Sequence, residues 1–139
     1  MKDILDLVGR ILIAFIFLYE AYDSIAFFKQ NKQTMTDYGI TWNQDMLLYG
    51  SIFLLLLGGI LLLIGYRVSF GAFCLLLYWI PLTFIVHSWW NDPEEVRRIN
   101  SLMFMKNMAI TGGLLTLFVN GAGRYSVKRI FATTRVPSA

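Results

Sequence analysis

The sequence predicts an all-α integral membrane protein: a four-helix bundle in one domain, residues 1–139, with both termini in the cytoplasm. Three observations lead there. Hydrophobic residues make up 57% of the chain and charged residues only 15%, where a soluble domain carries about 25% charge. The mean hydropathy is +0.58. The apolar residues also come in long unbroken runs instead of the periodic stripes of water-soluble helices or strands.

Each run is matched to the ~20 residues that a helix needs to cross the hydrocarbon core. The first span covers about 7–28. It has no small-residue cleavage pattern and continues through Glu20 and Asp23 into a bulky aromatic end, so it reads as a retained span and not a removed signal. The connection from Lys29 to Asp45 is polar. Thr34 to Tyr38 and Trp42 suit a short interfacial helix or turn there, with Gly39 as a break. Between Met46 and Val86 the only charged residue is Arg67, which gives two spans, 46–65 and 68–87, joined by the turn Gly65-Tyr66-Arg67. The fourth span is 102–120, with Lys106 near its start. Its helix is expected to begin earlier, at Asp92-Pro93-Glu94-Glu95, which reads as N-cap, N1 proline and acidic first turn. Gly58-Gly59 and Gly112-Gly113 are expected to let helices approach closely, and Pro81 to bend the third span.

Charge sets the orientation. Four spans put the termini and the Arg67 turn on one side, with Lys2, Arg10, Arg67, Arg124, Lys128, Arg129 and Arg135 against Asp3 and Asp6. The other side has five basic residues, Lys29, Lys32, Arg97, Arg98 and Lys106, against seven acids. The positive-inside rule counts the basic residues and places both termini in the cytoplasm. The basic tail suits anionic lipid headgroups, not nucleic acid.

Ionisable groups inside a span cost about 2.5–3.5 kcal/mol each at the helix centre, so they find partners or water. Glu20 and Asp23 share one helix face, His87 ends the third span, and Lys106 with Asn107 lies just inside the fourth. All fall in the outer half, where antiparallel helices can gather them around one cavity, with Tyr19, Tyr22, Trp89 and Trp90 nearby. In that arrangement Glu20, Asp23, His87 and Lys106 are the candidate catalytic groups, and Asn107, Tyr22, Trp89 and Trp90 the candidate ligand-binding ones. The alternative is structural: a Lys106–Glu20 ion pair, with His87 and the tryptophans at headgroup level.

Other chemistries are excluded or disfavoured. The one cysteine, Cys74, allows no intrachain disulfide and no cysteine metal site, and a single histidine allows no bis-histidine haem within one chain. Met103, Met105 and Met108 read as helix filler, so no metal is expected. There is no P-loop, GxGxxG or HExxH.

Several blocks resemble the DoxX family in succession: Gly9-Arg10-Ile11-Leu12, then Gly58-Gly59 through Gly65 with Arg67, then His87-Ser88-Trp89-Trp90. The longest is Phe104-Met105-Lys106-Asn107-Met108-Ala109-Ile110-Thr111-Gly112-Gly113-Leu114-Leu115 with Gly121-Ala122-Gly123-Arg124-Tyr125-Ser126, similar to that family's closing signature. The chain departs from the family at Glu20-Ala21-Tyr22-Asp23-Ser24, where many members have Gly-x-x-Lys, and at Leu55, where they have a glutamate. The resemblance implies a bacterial inner-membrane protein of four helices. It also implies a link to redox assemblies, since the family is named after a subunit of a thiosulfate:quinone oxidoreductase.

The leading functional expectation is therefore a membrane subunit of a redox system. A quinone or another apolar carbonyl compound would bind at the outer end, its oxygens polarised by Lys106, Asn107 and His87 while Glu20 or Asp23 exchanges protons. Its partners would be the lipid bilayer and a membrane or peripheral protein. The rival is a non-enzymatic scaffold that binds lipid and docks a larger complex. A transporter of four spans would require self-association into a homo-oligomer.

Overall fold

The computed structural model describes residues 1–127, and within them all regular structure is helical. Lys128, Arg129 and Arg135, counted above for orientation, lie outside the described residues. Four long helices, α1 (Lys2–Ala26), α3 (Gln44–Ile64), α4 (Val68–Val86) and α5 (Glu94–Asn120), are joined by a shorter α2 (Phe28–Asp37) and a 3-10 turn (Trp89–Asn91).

Three stretches are long and apolar enough to cross a membrane: Gln44–Ile64, Val68–Asn91 and Glu94–Asn120. At 25 residues α1 is long enough, but Asp6, Arg10, Glu20 and Asp23 interrupt it and set it apart from the other three.

α1 packs along α3, α3 along α4 and α4 along α5, whereas α1 meets α5 over a short stretch. Small residues set the close crossings. A Cβ on Gly58 would lie 2.5 Å from Leu75 Cγ and 2.9 Å from the Gly71 carbonyl oxygen, so α3 and α4 touch nearly backbone to backbone. Gly59 receives Leu18 of α1, and Gly113 receives Ile13. Gly112 has nothing within 4 Å, so of that pair only Gly113 serves packing. The core joins Ala14, Phe17 and Ala21 to Leu55 and Leu62, to Ala72, Leu75 and Trp79, and to Leu114 and Leu117. Phe17 stacks edge-on to Trp79 at 5.0 Å between centroids.

The connections follow from local chemistry. α3 ends at Gly65, whose φ of 76° is one that glycine adopts without a Cβ penalty, and both Gly65 and Tyr66 donate N–H to the Leu61 carbonyl. Of the expected short helix or turn, the structure has a helix, α2, which begins earlier than Thr34, and Gly39 at φ 81° follows its end. Lys32 pairs with Asp45 at 2.6 Å, tying α2 to the start of α3. Pro81 sits inside α4 without ending it. At the start of α5 the expected register moves by one: Pro93 is the N-cap and Glu94 the first helical residue. Asp92 does not cap the helix with its side chain. Its carboxylate accepts from Asn100 Nδ2 and its carbonyl from Arg97, with Asp92 in an extended conformation after the 3-10 turn.

Candidate functional site

The end of the molecule formed by α2, the 3-10 turn and the start of α5 holds most of the residues singled out above, but as separate groups. Glu20 and Asp23 are both part-buried, and they lie close enough to the Tyr78 hydroxyl of α4 for their charges to act on it. Ser24, on the same stretch of α1, is buried. Tyr19 and Tyr22 point outward and are exposed.

A second group forms where α4 hands over to α5. His87 closes α4, with its N–H donated to the Thr83 carbonyl, and its ring is flanked by Asn100 and Asp92. Trp89 and Trp90 stack edge-on at 6.1 Å, and Trp90 stacks in turn on Phe104 at 5.7 Å. Two polar atoms here are enclosed and without a hydrogen-bond partner among the described residues: His87 Nδ1 and the Trp89 indole nitrogen. Native structures pair nearly all such atoms, so two neighbouring exceptions need a reason. Trp89 also lines an open groove of about 650 Å³, together with Glu94, Arg97, Arg98, Ser101, Leu102 and Met105.

Asn107 belongs to neither group. It is 6% exposed, in the interior, where its amide donates to Thr83 Oγ1 at 3.2 Å. Thr83 Oγ1 donates onward to the Trp79 carbonyl, and Trp79 Nε1 donates to the Asn107 carbonyl at 3.3 Å. This closed circuit ties α4 to α5 and uses one of the two amide hydrogens of Asn107. Lys106, one residue earlier, is exposed and lies one helical turn beyond Leu102. Glu20 and Lys106 form no ion pair among the described residues.

Sequence reading passed over Tyr78, Thr83 and Asn100. A signal for Asn100 was present: Asn100, Phe104, Asn107, Thr111 and Leu114 recur at three or four residues, the stripe by which α5 faces α4. Tyr78 had no such signal, because α4 is apolar on every side and its faces cannot be told apart by pattern.

The sequence model of the DoxX family matches residues 5–88, so the closing block from Phe104 onward lies outside the match. The chain is 33% identical over 130 residues to the inner membrane protein YqjF of Escherichia coli, covering 94% of each. It is 29% identical over 124 residues to a Surfeit locus protein 4 homolog of Schizosaccharomyces pombe, spanning 36% of that protein. No solved structure matches.

Proposed function

The chain belongs to the DoxX family, and on that premise we propose that this multi-pass inner-membrane protein is a four-helix bundle with cytoplasmic termini, which binds a quinone-like apolar ligand at its outer end within a redox system. The observation that carries the reading is the groove at the α4–α5 junction. Apolar walls from Trp89, Leu102 and Met105 lie beside Ser101, Glu94, Arg97 and Arg98, and the Trp89 indole nitrogen has no partner among the described residues. An apolar slot with a few convergent polar groups is what a carbonyl-bearing ring needs. Lys106 supplies a cation one helical turn beyond Leu102, and Glu20 with Asp23 is a carboxylate pair at the same end for proton exchange. Reducing a quinone takes two electrons and two protons, so a partner protein must bring the electrons.

Binding of a short-chain quinone analogue to the detergent-purified protein, followed by Trp fluorescence, tests this. Trp89→Phe removes one hydrogen-bond donor and is expected to weaken binding about three- to tenfold, and the His87→Ala, Lys106→Ala double variant to weaken it further. Saturable binding that neither change alters would remove the groove as the site, and no binding to the wild type would remove the reading itself.

The scaffold reading keeps one specific support: Asn107, Thr83 and Trp79 bond to one another across α4 and α5, which serves helix association. A stoichiometric protein partner retained in mild detergent, with no quinone response, would favour it.

The fourth span is α1. At 1.5 Å per residue its length exceeds the ~30 Å hydrocarbon core, and its charges sit toward the two ends, leaving Ile11 to Tyr19 uncharged. In a Cys74→Ser background, Trp42→Cys is expected to react with a membrane-impermeant maleimide on intact spheroplasts, and Lys2→Cys only after permeabilisation. The reverse pattern overturns the orientation, and labelling of both from one side overturns α1 as a span.

A further inference from the structure

At the opposite end of the molecule three segments converge on one side chain. Arg10 of α1 is 2% exposed, and its Nη2 donates to the Tyr125 carbonyl at 2.6 Å. The Gly65 turn closes over it: a Cβ there would lie 3.0 Å from both the guanidinium carbon and Nη1. Ser126, buried, packs on the same glycine. Yet Nε and Nη1 are enclosed with no partner among the described residues. Arg10 forms no ion pair there either.

Asp6, one turn earlier on α1, is near enough for its charge to be felt at Arg10, but its carboxylate is set against Gly123 instead. A guanidinium cannot shed its proton, and burying it uncompensated costs several kcal/mol. A helix C-terminus, here that of α3 at Gly65, offsets a fraction of this. Water can accept from the free N–H groups but cannot balance the charge. Phosphate can do both, since guanidinium and phosphate oxygens form short charge-assisted bonds.

We propose that this end of the molecule is an anion site centred on Arg10 that takes a phosphate group, either the headgroup phosphate of a membrane lipid or free phosphate. The site is independent of the quinone-like ligand proposed for the other end. Asp6, one turn away on α1, limits its affinity through its negative charge.

The test uses the full chain, delipidated in detergent, in two arms: titration with inorganic phosphate read by thermal stability, and addition of phosphatidylglycerol read by native mass spectrometry as lipid retained per chain. Arg10→Met is expected to abolish the response, Arg10→Lys to weaken it about tenfold by losing the planar donor set, and Asp6→Asn to tighten it several-fold. A lipid response alone assigns the site to a headgroup, and a response to inorganic phosphate assigns it to the small anion. The proposal is overturned if the wild type responds in neither arm, or if Asp6→Asn weakens the response instead of tightening it, which would make Asp6 the true counter-ion. Should Arg10→Met fail to fold, Arg10→Lys and Asp6→Asn still decide in opposite directions.

Discussion

Gly58→Val is expected to destabilise the protein by about 3 kcal/mol, at the upper end of the usual overpacking cost, seen as a clear drop in the unfolding midpoint in detergent. The cause lies in what the new side chain meets. Its Cβ would overlap Leu75 Cγ at 2.5 Å and press on the Gly71 carbonyl at 2.9 Å. Leu75 is fully buried and cannot swing aside, and backbone cannot move without separating α3 from α4. Gly112→Val provides the control: nothing lies within 4 Å of that position, so its effect should stay within about 0.5 kcal/mol. Equal loss of stability in the two variants would show that the cost is one of helix propensity, and that the α3–α4 crossing is looser than described.

The second large effect is expected at Phe17. Phe17→Ala should cost about 2–3 kcal/mol, at or below the bottom of the 3–5 kcal/mol seen for such truncations in soluble cores. Phe17 is fully buried and makes the edge-on contact with Trp79 that joins α1 to α4, so its loss leaves a cavity facing Trp79. The lower figure reflects the solvent. Between membrane helices the separated state is bathed in lipid as apolar as the side chain, so packing contacts are lost but no hydrophobic transfer term is added. Phe15→Ala, on the exposed face of the same helix, should be near neutral. A Phe15 effect as large as that of Phe17 would mean that α1 presents a different face to its neighbours.

These two cases also show where sequence reading reaches its limit. Long apolar runs with few charges dictate helices, because in hydrocarbon a chain must satisfy its own backbone, and the helices at Gln44–Ile64, Val68–Val86 and Glu94–Asn120 answer to that requirement. The turn at Gly65 was equally legible, since a glycine followed by the single charge of a long apolar stretch leaves little choice. Which face of each helix turns inward was not legible. In α4 nearly every residue is apolar, so Tyr78 and Trp79, adjacent in sequence, differ in role only through the neighbours they meet.

The candidate site shows the same division. By itself the sequence determined that the chain lies in a membrane as helices, and which polar residues sit near which helix ends, because both follow from composition and from counting along a fixed rise per residue. Rotation about each helix axis was left to the tertiary structure. Adjacent residues differ by about 100° around a helix, so Asn107 enters a closed hydrogen-bond circuit while Lys106 stays exposed. That same rotation sets Arg10, one charge among many in the sequence, under the Gly65 turn with donors to spare.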